Sequence, residues 1–531
     1  MTINAAVLDA HISARTESRV GWCIACLASA GILLLPAIWN GFPLLEYDTG
    51  GYLARWFEGY LVPSRPAAYG LLLVPAAPFE FWPVLALQAA ATIWIVALLL
   101  RKLGLGSRPA LLGAVVAALT CTTTLPWLTS ILLTDIFAGL AVLGLYLVVF
   151  GRTVGSGQRW ALIGLTAFAA ATHSATLALV IILGCLMALL LRLVSLPRAG
   201  HALLSIALAV IMTLSANRII SGRFEFTPGG YGIIFGRMLE DGIVSHYLRD
   251  HCPDSHVRLC AFRDQLPATA DEFLWDDSVF NRLGRFDGLG EEMRAIVLGS
   301  LRDYPLLQIK TALAATGMQL TRVATGEGIV NTLWHTYGII DRYTPAAGVV
   351  MRAARQQHGE IRFHALNAIH IPIALGAMAL LPLLMAAGLK WSRFDQPALL
   401  AGTIAAAVLV NAFVCGALAN PHDRYGARLT WLAPLVILLG VIRLFPRRHE
   451  SSNSSGHSVA TEMMHIPRIM LRRRGCWYGS EILGGMVGES SSAAIAETGS
   501  ERAGHDRSYR EKRECLPRIY ARRAETACSR N

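Results

Sequence analysis

Charged residues are scarce in this sequence. Asp, Glu, Lys and Arg make up 16% of its 531 residues, whereas hydrophobic residues make up 54%. A soluble domain carries nearer 25% charged residues, so the composition excludes an ordinary soluble protein. The apolar residues fall in runs of about 20, which is the length that an α-helix needs to cross a bilayer. We therefore predict a multi-pass integral membrane protein in contact with the lipid bilayer.

Several motifs of soluble enzymes are missing. The sequence has no phosphate-binding P-loop, no GxSxG nucleophile elbow and no HExxH zinc motif. The ten cysteines are scattered. Cys23 and Cys26 form a CxxC inside an apolar run, where membrane packing accounts for them. We predict no metal site and no certain cofactor, although a divalent cation at the acidic residues described below is left open.

The formal net charge of the chain is +11, but its basic residues do not form a nucleic-acid-binding surface. They lie in the tail and in the short loops between apolar runs, as Arg101 and Lys102 do. Basic residues in short loops mark the cytoplasmic side of a membrane protein. We therefore predict no nucleic-acid partner, and we place both termini in the cytoplasm.

The apolar runs predict an all-α polytopic fold with about ten transmembrane helices. The regions are a cytoplasmic N-terminus (1–19), an N-terminal membrane bundle (20–220) with an acidic outer loop (41–81), an extracytoplasmic segment (221–362), C-terminal membrane helices (363–446) and a disordered cytoplasmic tail (447–531). The stretch 160–193 is too long for one helix, so we predict two helices that meet near His173. A single helix there would place the later basic residues Lys390 and Arg393 outside.

The extracytoplasmic segment is the one large polar part of the sequence, and we expect it to be mixed or helical. Phe273 and Trp275 are its candidate core residues. An apolar stripe at helical spacing between Tyr304 and Thr325 predicts a helix that lies along the membrane or the bundle.

Cys252 and Cys260 lie eight residues apart in this segment, with histidines nearby. A disulfide, two free thiols and a metal site are the alternatives. The spacing fits no common zinc pattern, whereas a disulfide suits a location outside the cytoplasm. We therefore expect a disulfide.

The polar residues that could carry chemistry all fall on the predicted outer side. They lie in the first outer loop (Glu46, Asp48, Arg65, Tyr69), at two helix turns (Asp135, His173) and in the last outer loop (His422, Arg424, Tyr425). Ionisable groups at membrane depth are costly to bury, so a set that converges on one mouth of a helix bundle favours function over chance. We predict that these residues form one site.

Asp48 is the leading candidate for a general base or a metal-holding carboxylate; the alternative is a solvated loop carboxylate. The glycines at 50–51 would let a ligand approach the backbone closely. Glu46 is a second candidate, or it acts on the pKa of Asp48 through its like charge. Asp135 is a third candidate, or only a negative charge at a helix N-terminus.

Arg65 and Arg424 are suited to bind a phosphate at the outer headgroup level, because a guanidinium forms paired hydrogen bonds with phosphate oxygens. The alternative is that they reach ordinary lipid headgroups. His173 lies at a tight turn, where it is either structural or a substrate contact.

Four short motifs resemble those of GT-C glycosyltransferases, the integral-membrane class that includes protein O-mannosyltransferases and lipid A aminoarabinose transferases. The motifs are Tyr47-Asp48-Thr49, Arg65-Pro66-Ala67-Ala68-Tyr69, Leu133-Thr134-Asp135-Ile136 and Arg424-Tyr425. The resemblance covers roughly 20–200 and 415–440, and it implies a GT-C-like helix bundle.

The resemblance also implies sugar transfer from a polyprenyl-phosphate donor to a lipid, glycan or protein acceptor, in a bacterial-type inner (plasma) membrane. It gives the catalytic role to Asp48, with Glu46 and Asp135 as further acidic candidates, and substrate contacts to Arg65, Tyr69, His173, His422, Arg424 and Tyr425. Two other functions stay open. One is a transporter or flippase of a lipid-linked or anionic solute, and the other is a non-catalytic protein of envelope assembly.

Overall fold

The computed structural model of the protein describes residues 19–63, 65–106, 108–194, 199–252 and 256–444. Within these ranges the chain is all-helical and contains no β-strand. The predicted disordered tail, 447–531, and nearly all of the predicted cytoplasmic N-terminus lie outside the described residues.

Five helices are long and apolar enough to cross a membrane. They are Trp82–Lys102, Ala199–Ser221, His364–Lys390, Ser392–Ala417 and Asp423–Ile442. Five shorter apolar helices have 10 to 17 residues: Arg19–Leu33, Ala67–Phe79, Pro109–Thr122, Asp135–Phe150 and Ser174–Leu189. The chain is thus a helical protein with apolar helices suited to a bilayer, and the count of about ten spans stays a prediction.

The first predicted helix, about 20–40, is interrupted. It consists of Arg19–Leu33 and the short helix Leu35–Asn40, which ends at Gly41 with a φ of 83°. Pro36 lies in the first turn of the second piece. A proline there lacks the N–H that would continue the preceding helix, so the break follows from the sequence.

The predicted acidic loop at 41–81 is wrong in its local structure, because most of it is helical. The helices are Tyr47–Glu58, Ala67–Tyr69 and Gly70–Ala76. Glu46 caps the first of them: its Oε2 accepts a hydrogen bond from the Asp48 N–H at 2.6 Å, and its own N–H donates to Thr49 Oγ1 at 3.1 Å. These bonds satisfy N–H groups that a helix start would leave unpaired.

The stretch 160–193 contains two helices, as expected. They are Ser156–Ala171 and Ser174–Val194, and the break falls at Thr172 and His173. The helix Asp135–Phe150 lies at the centre of the bundle, with every residue from Asp135 to Val149 buried. A helix that is apolar on all sides is stable only in such a surrounded position.

The first polar part of the predicted extracytoplasmic segment is helical and has its own core. Its helices are Gly230–Glu240, Ile243–His251, Ala270–Trp275, Val279–Arg282 and Arg285–Asp303, and we call this part the polar unit (230–303). Phe235, Phe273 and Phe280 are fully buried in its core. The prediction that Trp275 is a core residue is wrong. Its surface is 41% exposed, and its ring lies 5.4 Å from the Arg65 guanidinium carbon.

Cys252 and Cys260 form a disulfide in the polar unit, with a Cα–Cα distance of 5.7 Å. Closing so short a loop restricts the unfolded chain and contributes on the order of 2–3 kcal/mol to stability. We expect Cys252→Ser with Cys260→Ser to lower the thermal stability of the polar unit, as measured by protease resistance of the full chain on heating. The double substitution Cys23→Ser with Cys26→Ser is the control, and equal resistance of both variants would contradict the prediction.

The rest of the chain flanks helix Tyr47–Glu58 and completes the bundle. Its helices are Pro305–Thr321, Trp334–Tyr343, Pro345–Arg352, His364–Lys390, Asp395–Ala412, Asp423–Thr430 and Leu432–Ile442. The predicted apolar stripe lies on Pro305–Thr321, where Ile309, Leu313 and Met318 are exposed. A π-helical turn at Phe413–Ala417 follows Asp395–Ala412, and turns of this kind are frequent at functional sites.

The predicted orientation can be tested by cysteine labelling. Asp277 is an exposed residue of the polar unit, and Ser392 is exposed between His364–Lys390 and Asp395–Ala412. In intact cells we expect Asp277→Cys to react with a membrane-impermeant maleimide and Ser392→Cys to react only after the membrane is opened, because the loop charges place them on opposite sides. The background lacks the other free cysteines. The reverse labelling pattern would overturn the orientation.

Candidate active site

A cavity of about 250 Å³ lies between the polar unit and the ends of the apolar helices. Its polar lining consists of Asp48, Arg65, His173, Ser174, Thr227, Asp271, Trp275, Cys415, Asn420, His422 and Tyr425. Its apolar lining includes Ala175, Ala178, Val414, Leu418 and Leu274. The cavity therefore brings together residues from the predicted first outer loop (41–81, which we call the first outer segment), the turn at 173–175, the polar unit and the predicted last outer loop (420–425, which we call the last outer segment).

Hydrogen bonds to the backbone at 130–132 fix the position of the first outer segment. The Leu44 N–H donates to the Ser130 carbonyl at 2.9 Å, and the Leu132 N–H donates to the Leu44 carbonyl at 2.9 Å. Thr49 Oγ1 donates to the Leu132 carbonyl at 3.0 Å. These bonds fix the start of helix Tyr47–Glu58 beside the start of helix Asp135–Phe150, so the acidic residues of both helices lie close together.

Asp48 is held between two arginines. Its Oδ1 pairs with Arg65, and its Oδ2 lies 2.9 Å from Arg424 Nη1. A third arginine supports this arrangement, since Arg55 is fully buried and donates to the carbonyl groups of Arg65 and Pro66. The carboxylate that lines the cavity is therefore fixed on both oxygens.

Arg424 is surrounded by three carboxylates. Its Nη1 lies 2.9 Å from Glu46 Oε1 as well as from Asp48, and its Nε lies 2.7 Å from Asp135 Oδ2. A buried arginine with close, hydrogen-bonded carboxylates compensates the cost of removing these charges from water. The predicted phosphate contact of Arg424 is thus already occupied by the protein's own carboxylates.

The helix that carries Arg424 packs unusually close to the chain beside it. A Cβ atom at Gly426 would lie 1.8 Å from the Arg322 carbonyl oxygen, so only glycine fits there. The Arg424 N–H donates to Glu327 Oε2 at 2.7 Å, and the Ala324 N–H donates to Asp423 Oδ1 at 3.0 Å. These contacts set the position of the arginine at the start of the helix.

Burial and charge shift the pKa values of Glu46 and Asp48 in opposite directions. Burial alone would raise the pKa of Asp48, but Arg65 and Arg424 hold it well below its usual range. Burial raises the pKa of Glu46 to about 7, against the opposing charge of Arg424. Asp48 is therefore ionised at all physiological pH values, whereas Glu46 exchanges a proton near neutrality.

Only Asp48 of the three predicted catalytic carboxylates lines the large cavity. Glu46 lies behind it as a helix cap. Asp135 borders a separate cavity of about 30 Å³ together with Glu327 and Arg424. The geometry thus gives Asp48 access to a ligand, and it gives Glu46 and Asp135 the role of fixing and balancing Arg424.

His173 lines the cavity as predicted. Its Nδ1 accepts a hydrogen bond from the Ala175 N–H at 3.2 Å, so the proton of the neutral ring lies on Nε2. Burial, and next the charge of Arg428, lower the pKa of His173 well below its usual value. The ring is therefore an uncharged hydrogen-bond donor.

Tyr69 does not reach the cavity. It is fully buried, its hydroxyl donates to Gln88 Oε1 at 3.2 Å, and its ring packs edge-on against Tyr52 with centroids 5.4 Å apart. The predicted substrate contact of Tyr69 is therefore replaced by a packing role. Tyr425 does line the cavity, and its ring lies 5.7 Å from the Arg424 guanidinium carbon.

His422 connects the last outer segment with the polar unit. Its Nδ1 lies 2.9 Å from Glu327 Oε1, and its Nε2 lies 3.5 Å from Asp271 Oδ2. Asp271 lies on a helix of the polar unit, and Arg237 of the same unit donates to Asn420 Oδ1 at 3.1 Å. These polar contacts close one side of the cavity.

The His422 contacts predict a pH dependence. Burial would lower the pKa of His422, but the hydrogen bond and charge of Glu327, followed by the charge of Asp271, raise it despite the opposing charge of Arg424. A raised histidine pKa stabilises the fold fully below about pH 6.5, and this contribution is lost as pH rises through the folded-state pKa. We expect thermal stability to fall as pH rises above about 6.5, by an amount worth about 1 kcal/mol or less. His422→Gln should remove that part of the fall, and an unchanged pH profile would contradict it.

Three residues at or behind the cavity were missed by the sequence analysis. Asp271 and Glu327 gave no signal, because each is a single acidic residue in a polar segment. Arg428 did give one, since it follows Arg424 by four residues and so lies on the same helix face.

Among the described residues, no three His, Cys, Asp or Glu side chains are grouped to hold a metal ion. Asp48, the candidate metal-holding carboxylate, instead shares the guanidinium of Arg424 with Glu46 and Asp135.

The chain matches no protein-family model, no curated protein and no solved structure.

Proposed function

We propose that this protein is a membrane glycosyltransferase that moves a sugar from a polyprenyl-phosphate donor to an acceptor hydroxyl on the outer face of the membrane. The observation that supports it best is the ionised Asp48 carboxylate on the cavity wall, fixed between Arg65 and Arg424. The acceptor is a lipid, a glycan or a protein.

The cavity has the mixed character that such a donor requires. Its lining includes Asp48, Arg65 and His173 as well as small apolar residues such as Ala178 and Val414. A lipid-linked sugar combines a charged phosphate, a polar sugar and a hydrocarbon chain. A ligand site with apolar walls and a few convergent polar groups suits this combination.

In the proposed reaction the acceptor hydroxyl oxygen forms a bond to the anomeric carbon of the sugar. The bond between that carbon and the donor phosphate oxygen breaks, and its electron pair leaves with the phosphate. The hydroxyl proton passes to Asp48, which acts as the general base. The leaving phosphate needs positive charge rather than a proton, and Arg65 supplies it.

Arg65 couples these two events. It pairs with Asp48 and contributes to the low pKa of that carboxyl. A donor phosphate competes with Asp48 for the guanidinium. When the phosphate attracts Arg65, Asp48 loses part of its stabilisation as an anion and becomes a stronger base.

The test is a transfer assay with the purified full chain in lipid nanodiscs. Polyprenyl-phosphate sugars that carry a radiolabelled sugar are supplied with membrane extracts as acceptors. We expect label on an acceptor together with release of polyprenyl phosphate, and no transfer from the corresponding polyprenyl glycoside without phosphate. A second assay in sealed vesicles distinguishes the rival function: donor that crosses the bilayer with its sugar still attached would support a flippase and overturn the proposal.

A further inference from the structure

Arg428 is a fully buried cation without a carboxylate partner. It is 0% exposed. Its Nε and Nη2 donate to Asn411 Oδ1 at 3.0 and 2.5 Å, and Nη2 also lies 3.0 Å from Cys415 Sγ. Its Nη1 has no hydrogen-bond partner, and no ion pair to Arg428 occurs in the described part of the chain. A buried charge with only neutral partners is costly unless an anion approaches it.

The N-terminus of a long helix lies at the cavity. Helix Ser174–Val194 has 21 residues, and Ser174 and Ala175 at its start line the cavity. Helix N-termini carry unpaired N–H groups and a partial positive charge, which together attract anions. The Ser174 hydroxyl is buried and has no hydrogen-bond partner in the structure.

His173 adds a third donor. It is 7% exposed and lines the cavity, and its Nε2–H has no partner among the residues described. The side chain is neutral because burial and the charge of Arg428 lower its pKa. Cys415, which Arg428 contacts, lines the same cavity as His173, so the charge of Arg428 lies directly behind the cavity lining.

The other cations near the cavity are already paired. Arg424 is bound to three carboxylates, and Arg65 is bound to Asp48. Within the described residues, Arg65 Nε and Arg424 Nη2 also lack hydrogen-bond partners, but the charges of these two arginines are balanced by carboxylates, whereas the charge of Arg428 is not. Ser174 Oγ and His173 Nε2 add two neutral donors without partners at the cavity.

We propose that His173 and Ser174, with the charge of Arg428 behind them, form an oxyanion subsite that takes the phosphate group of the lipid-linked substrate. The inference rests on the proposed function for the identity of the substrate, whereas the subsite itself rests on the cavity lining and the donors without partners. It places the phosphate at the start of helix Ser174–Val194, in the cavity that Arg65 and the polar unit also line.

The experiment measures binding of sugar-free polyprenyl phosphate to the full chain in nanodiscs, with polyprenol as the uncharged control. We expect the unsubstituted protein to bind the phosphate lipid at least about tenfold more tightly than polyprenol. Ser174→Ala and Arg428→Gln should each remove most of that preference, and Arg428→Lys should keep part of it because it keeps the charge. The exposed arginine Arg393 provides the matched control, so Arg393→Gln should bind like the unsubstituted protein.

Competition by inorganic phosphate tests whether the protein recognises the phosphate group or the lipid chain. Competition supports recognition of the phosphate itself, whereas equal binding of polyprenyl phosphate and polyprenol would overturn the subsite. An unchanged preference in Ser174→Ala would also overturn it, and this variant decides the matter if Arg428→Gln fails to fold. Phosphate-dependent binding without sugar transfer would leave the subsite standing and refute the proposed function. Sugar transfer with an unchanged donor KM in Ser174→Ala would support the proposed function and refute the subsite.

Discussion

Replacement of Asp48 by Asn is expected to lower sugar transfer by about 10²–10⁴-fold, the usual scale of losing a general base. The amide has the shape of the carboxylate and can still accept a hydrogen bond from Arg65 or Arg424, but it cannot take the acceptor proton. The measurement is the initial rate of label transfer at matched amounts of protein in the membrane. Full activity of Asp48→Asn would end the assignment of the base.

Glu46→Gln is the matched control for this prediction. Glu46 lies two residues away and shares Arg424 with Asp48, but it does not line the cavity. We expect a smaller loss than for Asp48→Asn, because Glu46 acts through its charge and as a helix cap. A larger loss in Glu46→Gln would move the base assignment from the cavity wall to the residue behind it.

Arg424→Gln is expected to destabilise the fold by about 3–5 kcal/mol, the range found when one partner of a buried ionic network is removed. Of Glu46, Asp48 and Asp135, only Asp48 would then keep an ion pair within the described part of the chain, the one with Arg65, and Asp135 is 2% exposed. The measurement is thermal or denaturant unfolding of the purified chain in detergent, followed by tryptophan fluorescence.

Arg322→Gln is the control for the Arg424 prediction. Arg322 makes an ion pair with Asp423 at 3.9 Å, but half of its side chain is exposed. Exposed pairs of this kind contribute about 0–1 kcal/mol. Equal stability loss in both variants would show that burial of the carboxylates, rather than their pairing with Arg424, determines the stability of this region.

The apolar helices could be predicted because hydropathy and length act locally. The sequence placed a break near His173, and the structure has helices on both sides of it. The helix Tyr47–Glu58 was missed for an equally local reason. Two glycines and two acidic residues at its start are typical of a loop, and its cap is a glutamate whose partner is Thr49, which is not the usual order of a capping pair.

The convergence of polar residues on one side was also predictable, but their pairing was not. Arg424 contacts carboxylates that are separated from it by 289 to 378 positions along the chain. The loop charges indicate which residues share a side of the membrane, and they do not indicate which guanidinium meets which carboxylate. For this reason Arg424 was assigned to a substrate phosphate, although its own fold supplies its anions.

Gly426 links two parts of the site that have different tasks. It lies between Arg424, which balances the acidic cluster, and Arg428, which belongs to the proposed phosphate subsite, and it presses against the Arg322 carbonyl with no room for a side chain. A methyl group at this position would force the helix backbone that carries both arginines to shift. In the proposed site, substrate affinity and the alignment of the catalytic carboxylate would therefore change together, because one backbone contact positions both arginines.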